Sequence, residues 1–361
     1  TLFLPHGDHY VTAYDAAGAC VFLDERGLCR IHAKFGEAAK PLACRLYPFR
    51  FIPAGRQARV SIRFDCPEVA CNRGRALPAH LPALRALLPH ALPPAAMDVP
   101  VPPLFGRVSC TWDRLARIID AVDRLLCAKS LDVTRRVAGG VNFAALLRNP
   151  RLSALNERAF ADFLTTVAGK VTEAAEGDAL GRTAPPALAR AAFRQLAGVY
   201  ARADYRGAPA RLGQRFATAV RLLTGGGAVP AIQPDFPAVP FSALEDAFGI
   251  PDAEAAEPII RYLRARVLSM GFCGAAFYGR AVLDGLDALL FTYPLLLWFA
   301  RLFSAGRNRS TLDRAAAERA VEIVDHQHGV TPILNLPSER RRLSFLCERT
   351  ILRSLVVWYG S

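Results

Sequence analysis

WDRLARIIDAVDRLLCA, residues 112–128, is the stretch that sets the fold class of this chain. Its apolar side chains recur at Leu115, Ile118, Ile119, Val122, Leu125 and Leu126. This spacing places them on one face of an α-helix. The same period predicts further helices near residues 153–175, 186–205, 209–223, 256–270, 273–303, 311–327 and 338–358. The chain is therefore expected to be mainly α, with a large helical domain over residues 104–361.

The composition predicts a large buried core and disfavours two classes of function. Hydrophobic residues make up 52% of the 361 residues, a length that allows two or three domains. The net charge is +13, but the arginines are scattered and no basic run is interleaved with aromatic residues. Nucleic-acid binding is therefore disfavoured, and an acidic protein partner fits the charge. The longest apolar run, residues 288–300, is too short to span a bilayer and predicts a buried helix.

The first 75 residues differ from the rest of the chain. They hold five of the nine cysteines. Strand-like runs cover residues 10–14, 19–23 and 58–64. The run 50–52 and the run 58–64 predict a hairpin around Gly55. The expected organisation is a small α+β cysteine-rich module at 1–75, a proline-rich connector at 76–103 and the helical domain at 104–361. The helical domain should fold without metal, because it supplies a core of its own.

Two glycine clusters, Gly139-Gly140 and Gly225-Gly226-Gly227, need comparison with nucleotide-binding loops. A Rossmann loop follows a strand and opens a helix. Both clusters instead follow helical stretches, so we expect them to be helix C-caps. A Rossmann-type dehydrogenase or methyltransferase is therefore disfavoured.

The cysteines near the start of the chain predict a metal site. A turn over residues 24–27 should bring Cys20 and Cys29 together, and Pro41 should begin a helix with Cys44 one turn in. The helix dipole and Arg45 should lower the pKa of the Cys44 thiol, and metals bind the thiolate. Cys66 is the fourth candidate ligand. The alternative for all four is a small buried hydrophobic side chain. Nine cysteines is an odd number, which argues against a secreted disulfide framework and indicates a cytoplasmic protein.

The same stretch resembles a known family. The similar segments are CVFL at 20–23, GLCRIH at 27–32, FG at 35–36, KPLACRLYPF at 40–49, RFDCP at 63–67 and NRG at 72–74. Together they resemble the cysteine-cluster proteins described as zinc- or iron-chelating, which include the flagellin lysine N-methylases. The K-P-x-x-C-R-x-Y-P element is the most specific part of this resemblance, which covers about residues 18–75.

The resemblance implies a cofactor and an activity. It implies an iron–sulfur cluster, or else zinc, on Cys20, Cys29, Cys44 and Cys66. It also implies a protein-modifying enzyme of the lysine N-methylase kind that uses S-adenosylmethionine. Family members carry a tight cysteine group before these positions, and residues 1–19 contain none. We expect such a group to be found upstream of Thr1 if the chain is a piece of a longer protein.

Three hypotheses follow for the function. The leading one is a metalloprotein with an iron–sulfur cluster that modifies a protein substrate. The second is a non-catalytic module with structural zinc. The third is a metal-free helical interaction protein. Metal content distinguishes the three hypotheses. The first predicts a brown protein with charge-transfer absorption, the second a colourless protein with bound zinc, and the third a protein without metal.

Overall fold

The chain is mostly helical, as the period of residues 112–128 predicts. A computed structural model describes residues 2–6, 9–15, 19–202 and 212–361. Helices account for 58% of the chain and strands for 8%. The strands form two antiparallel hairpins, β1 Phe3–His6 with β2 His9–Thr12 and β3 Phe49–Ala54 with β4 Gln57–Ile62. The second hairpin is the one predicted around Gly55.

The first hundred residues carry short helices. These are α1 Arg30–Phe35, α2 Leu42–Leu46, α3 Pro67–Ala70, α4 Leu81–Ala91 and α5 Pro94–Met97. Helices α4 and α5 lie in the stretch predicted to be a proline-rich connector. Proline is tolerated in the first helical turn, where its missing N–H has no partner to lose, and both helices begin in this way.

Helices of 5 to 24 residues build the rest of the described chain. They are α6 Trp112–Leu126, α7 Val133–Leu146, α8 Glu157–Glu176, α9 Ala187–Tyr200, α10 Leu212–Thr224, α11 Phe241–Glu245, α12 Ala253–Leu268, α13 Val282–Ala305, α14 Arg314–Gln327, α15 Pro337–Leu346 and α16 Arg349–Tyr359. Side-chain caps fix several of their starts. Thr111, Asp252 and Asp313, for example, each accept a hydrogen bond from a backbone N–H of the first turn.

Helix α13 is the centre of this assembly. It packs against α7, α11, α12, α14, α15 and α16. By length and composition it could cross a membrane, but 89% of its most apolar window is buried inside the fold. A helix that is apolar on all sides must be covered on all sides. The neighbouring helices supply this cover, as the prediction of a buried helix over 288–300 requires.

Three sequence predictions need correction. Residues 273–281 do not belong to α13, because they form turns in which the backbones of Gly274 and Arg280 pair. The helix predicted at 338–358 is broken between α15 and α16, where Glu348 caps the second helix. Gly139 and Gly140 are not a C-cap. They lie buried inside α7, where a Cβ on either would already touch the side chain of Val171 or Leu290 at 3.3 Å. The cluster after α10 is a C-cap, since the Gly225 N–H donates to the Arg221 carbonyl.

The second hairpin and the loop after it pack on the helical domain. Phe64 is fully buried and its ring stands edge-on to Tyr262 of α12, 5.4 Å away. At the other end of the hairpin, Gly55 adopts φ +63°, and a Cβ there would lie 2.9 Å from the Trp112 indole nitrogen. Residues 49–71 therefore share one hydrophobic core with the helices.

Candidate functional site

The segment that carries Cys20 and Cys29 turns back on itself where the sequence predicts a turn. The backbones of Leu23 and Cys29 pair in antiparallel fashion, and the Asp24 N–H donates to the Leu28 carbonyl at 2.8 Å. The Asp24 carboxylate caps the same turn by accepting from the N–H groups of Arg26 and Leu28. These bonds hold Cys29 at the start of α1, where it is the N-cap residue.

Cys44 lies on a different element and faces the same region. Helix α2 begins directly after Pro41, as predicted, and places Cys44 in its first turn. The prediction of a lowered thiol pKa is wrong. Partial burial raises the pKa of the Cys44 thiol, and the nearby thiols of Cys20 and Cys29 raise it further, against the opposing effect of Lys40. A helix of five residues has too weak a dipole to reverse this.

The three thiols are of the right chemical type for zinc or an iron–sulfur cluster. They are near enough for the charge of Cys20 and of Cys29 to act on Cys44. Within residues 2–6, 9–15, 19–202 and 212–361, however, no group of three or more His, Cys, Asp or Glu side chains is placed to hold one metal ion. As they stand, the thiols do not form a finished ligand set.

Cys66 lies in a different environment from the other three. It is the N-cap residue of α3, and its thiol is a hydrogen-bonding neighbour of the Tyr47 hydroxyl. Burial, together with Asp65 and Cys66, raises the pKa of Tyr47, so its phenol stays protonated at neutral pH. Cys66 also lines a large cleft.

This cleft has a volume of about 1180 Å³ and lies between the second hairpin and α12. Its apolar lining comes from both sides, with Phe49, Ile62, Phe64, Val69, Val133 and Ile260 among the contributors. Clefts of this size with an apolar interior and a few polar groups are the usual form of ligand sites. The cleft could not be predicted from the sequence, because its walls come from residues 48–80, 132–136 and 251–268, which are far apart along the chain.

Charged side chains of both signs line the cleft. Arg261 is held by Glu257 and by the carbonyl groups of Val69 and Ala70, and Arg264 forms a two-pronged ion pair with Asp123. The carboxylates of Asp132 and Asp252 also line the cleft, each at the start of a helix that it caps. The cleft can therefore bind a ligand with an apolar body and charged groups at its edges.

A buried carboxylate fixes the cleft wall to the helical domain. Asp325 of α14 is fully buried and accepts hydrogen bonds from the N–H groups of Phe64 and Asp65, at 2.8 and 3.2 Å. It also pairs with the guanidinium groups of Arg63 and Arg266. These contacts join the loop after β4 to α12 and α14.

A buried histidine lies close to this network. His328 is 1% exposed, its Nδ1 lies 2.8 Å from the Tyr200 hydroxyl, and its Nε2 has no hydrogen-bond partner. Burial lowers the pKa of His328 well below 6.5, and the positive charges of Arg266, Arg280 and Arg50 lower it further. His328 is therefore neutral in the folded protein at physiological pH.

This lowered pKa makes stability depend on pH. The unfolded chain protonates His328 near pH 6.5 and the folded chain does not, so the unfolded state binds more protons below that pH. We expect His328 to reduce the free energy of unfolding by up to about 1.4 kcal/mol for each pH unit below 6.5. Urea unfolding of wild type and His328→Gln between pH 7.5 and 5 measures the contribution.

The prediction is tested by the difference between wild type and His328→Gln in how the free energy of unfolding changes with pH. Burial raises the pKa of Asp287 to about 6, against the effect of Arg148, so this group adds stability as the pH falls and works in the opposite direction. Asp287 is present in both proteins and cancels in the comparison. Equal pH slopes for wild type and His328→Gln would contradict the prediction.

The chain was compared with protein-family models, curated proteins and solved structures, and none of the three comparisons found a match.

Proposed function

We propose that this protein binds metal on cysteine thiolates, with an iron–sulfur cluster as the first choice and zinc as the second, and that it modifies a protein substrate. In this proposal residues 1–75 are an α+β cysteine-rich module, and Cys20, Cys29, Cys44 and Cys66 are its ligands. The observation that carries the proposal is that Cys20 and Cys29, on one turn, lie near enough to Cys44 of α2 for their charges to act on its thiol. Thiolates gathered in this way are the ligands that zinc and iron–sulfur clusters prefer.

Metal binding on this segment would be coupled to ordering. The thiols form no finished ligand group as they stand, and no side chain of α1 or α2 is buried. A segment without a core of its own gains most of its order from the metal, because binding free energy then becomes folding free energy. A bound metal cation takes the place of the thiol protons. Its positive charge offsets the repulsion between the thiolates, which together with burial raises the pKa of Cys44.

The cleft beside Cys66 supplies the place for a protein substrate. Its apolar interior suits the side chains of a peptide segment, and the carboxylate of Asp252, which caps α12 through Oδ1, gives a lysine ammonium group a partner of opposite charge. The resemblance adds a lysine N-methylase-like activity and S-adenosylmethionine, which supplies a methyl group when it is bound. The structural support for that co-substrate is the size of the cleft.

One observation favours the second hypothesis, a structural zinc without catalysis. Because α1 and α2 bury no side chains, a metal could serve only to hold this segment in place. Metal identity separates the two hypotheses. An iron–sulfur cluster gives a brown protein with charge-transfer absorption, and structural zinc gives a colourless protein with one equivalent or more of zinc.

Replacing Cys44 by serine should remove the metal. A serine hydroxyl stays protonated at neutral pH and is a poor ligand for soft metal ions, so the remaining thiols lose their central partner. We expect metal content to fall at least about tenfold, since changes at a metal site commonly cost that much affinity or more. The measurement is metal analysis and visible absorption of protein purified without oxygen.

Cys127→Ser is the matched control, because Cys127 follows α6 in the helical domain, away from the cysteine-rich segment. This variant should keep its metal. Equal metal content in Cys44→Ser and Cys127→Ser, or a wild-type protein that holds none, would contradict the proposal. Hydrogen exchange over residues 19–48 gives a second measurement, and it should rise in Cys44→Ser alone.

A further inference from the structure

A second cavity lies where α7, α13 and the break between α15 and α16 meet. Its volume is about 430 Å³. Arg148, Arg280, Arg349, Asp284, Asp287, Glu348, Ser344 and Cys347 line it, together with Val141 and Ala145. The cleft described above shares none of these side chains.

Arg280 is the unusual member of this lining. It is 8% exposed, and its Nε and Nη2 atoms are buried with no hydrogen-bond partner. These two N–H groups form one edge of the guanidinium plane, with parallel donors spaced to match two oxygens of a carboxylate or phosphate. The guanidinium carbon lies 5.9 Å from the centre of the Phe277 ring, and the charge of Asp284 acts on it, but neither group accepts a hydrogen bond from Nε or Nη2. Buried donors without acceptors are costly, because burial removes their hydration. A residue that lines the cavity therefore carries two unpaired donors.

The carboxylates around the cavity are already engaged. Asp284 and Asp287 both accept from Arg148, and Glu348 accepts from two backbone N–H groups at the start of α16. Arg349 donates only to the neutral amide oxygen of Asn142, at 3.1 and 3.3 Å. The cavity thus has two guanidinium groups, Arg280 and Arg349, whose contacts in the described structure include no carboxylate.

We propose that this cavity binds a small oxyanion, of the carboxylate or phosphate class, on the Nε and Nη2 edge of Arg280. Arg349 at the mouth adds positive charge that attracts the anion, and the Arg148 pairs keep Asp284 and Asp287 from competing for Arg280. A bound oxyanion satisfies both orphaned donors of Arg280 and compensates its buried charge. The site is independent of the cysteine segment and of the function proposed for it.

The test uses inorganic phosphate and acetate as probes, each titrated at constant ionic strength with thermal unfolding and calorimetry as readouts. We expect saturable stabilisation of the wild type by at least one of the two, and the tighter of them assigns the anion class. Arg280→Met should remove this stabilisation. It should also unfold at a higher temperature than wild type in buffer without either probe, because it no longer buries an unpaired charge.

Arg280→Lys provides a second variant that keeps the charge but lacks the two-donor edge. We expect it to bind the anion at least about tenfold more weakly, the loss that corresponds to one strong charged hydrogen bond. Arg309→Met is the control, since Arg309 is exposed and pairs with Asp313 outside the cavity; it should bind as wild type does. Absence of saturable binding by both probes, or unchanged affinity in Arg280→Lys and Arg280→Met, would overturn the proposal.

Discussion

Replacing Asp325 by alanine is expected to lower the free energy of unfolding by about 4 kcal/mol. The Arg266 guanidinium, 1% exposed, would then remain in the core without its counter-charge. The N–H groups of Phe64 and Asp65 would lose their acceptor as well. Removing one partner of a buried ion pair costs far more than removing an exposed one, because burial prevents water from replacing it.

Urea unfolding followed by circular dichroism measures this loss. Asp235→Ala is the matched control, because Asp235 pairs with Arg319 while its side chain stays 47% exposed, and its removal should cost less than about 1 kcal/mol. Hydrogen exchange adds the location of the change. In Asp325→Ala the loop after β4 should exchange faster than the rest of the core, since its anchor is gone. A loss no larger than that of Asp235→Ala would show that Asp325 does not hold the cleft wall.

Replacing Arg301 by methionine is expected to lower the free energy of unfolding by about 3 kcal/mol. Arg301 is fully buried in α13 and donates to the carbonyl oxygens of Leu244, Asp246, Trp358, Tyr359 and Ser361. These carbonyls lie at the ends of α11 and α16, where the helix itself supplies no N–H partner for them. Methionine keeps an unbranched apolar stem but leaves buried acceptors without donors, and each such acceptor costs about 1–3 kcal/mol.

The same unfolding assay measures this effect, with Arg341→Met as the control. Arg341 is exposed on α15, and its replacement should change stability by less than about 0.5 kcal/mol. The end of α16 should exchange faster in Arg301→Met, because its last carbonyls lose their donor. If Arg301→Lys kept full stability, one ammonium group with three donors would suffice, and the five-carbonyl arrangement would not explain the effect.

Neither of these buried charges could be predicted from the sequence. In sequence, Asp325 is one of five charged residues in α14 and Arg301 is one of three in α13, and charged residues are mostly solvent-exposed. Their partners lie far along the chain, at Phe64 and at Leu244, so only the fold brings them together. The helices themselves were predictable because their period is local, as residues 112–128 illustrate. Their exact ends were less so, because Glu348 breaks the last helix by capping and not by a proline.

Part of the candidate site could also be predicted from the sequence, and part could not. The turn after Leu23 and the helix after Pro41 follow from local residues, and both form where the sequence predicts them. The pKa of Cys44 was predicted in the wrong direction, because its burial and its distance from the other thiols depend on how the turn that carries Cys20 and Cys29 meets α2. The cleft was missed entirely. Its two sides are about two hundred residues apart in sequence, and neither side alone has a motif that points to a cavity.

The burial of α13 on all sides has a consequence for how the chain is made. During synthesis α13 emerges from the ribosome before α14, α15 and α16, although these later helices cover much of its surface. During that interval a 24-residue apolar helix is exposed, and exposed apolar segments associate with one another or with chaperones. Fragments that end between Ala305 and Arg314 should therefore be recovered in aggregates or bound to chaperones. Translation speed over residues 306–361 then becomes a determinant of the yield of native protein.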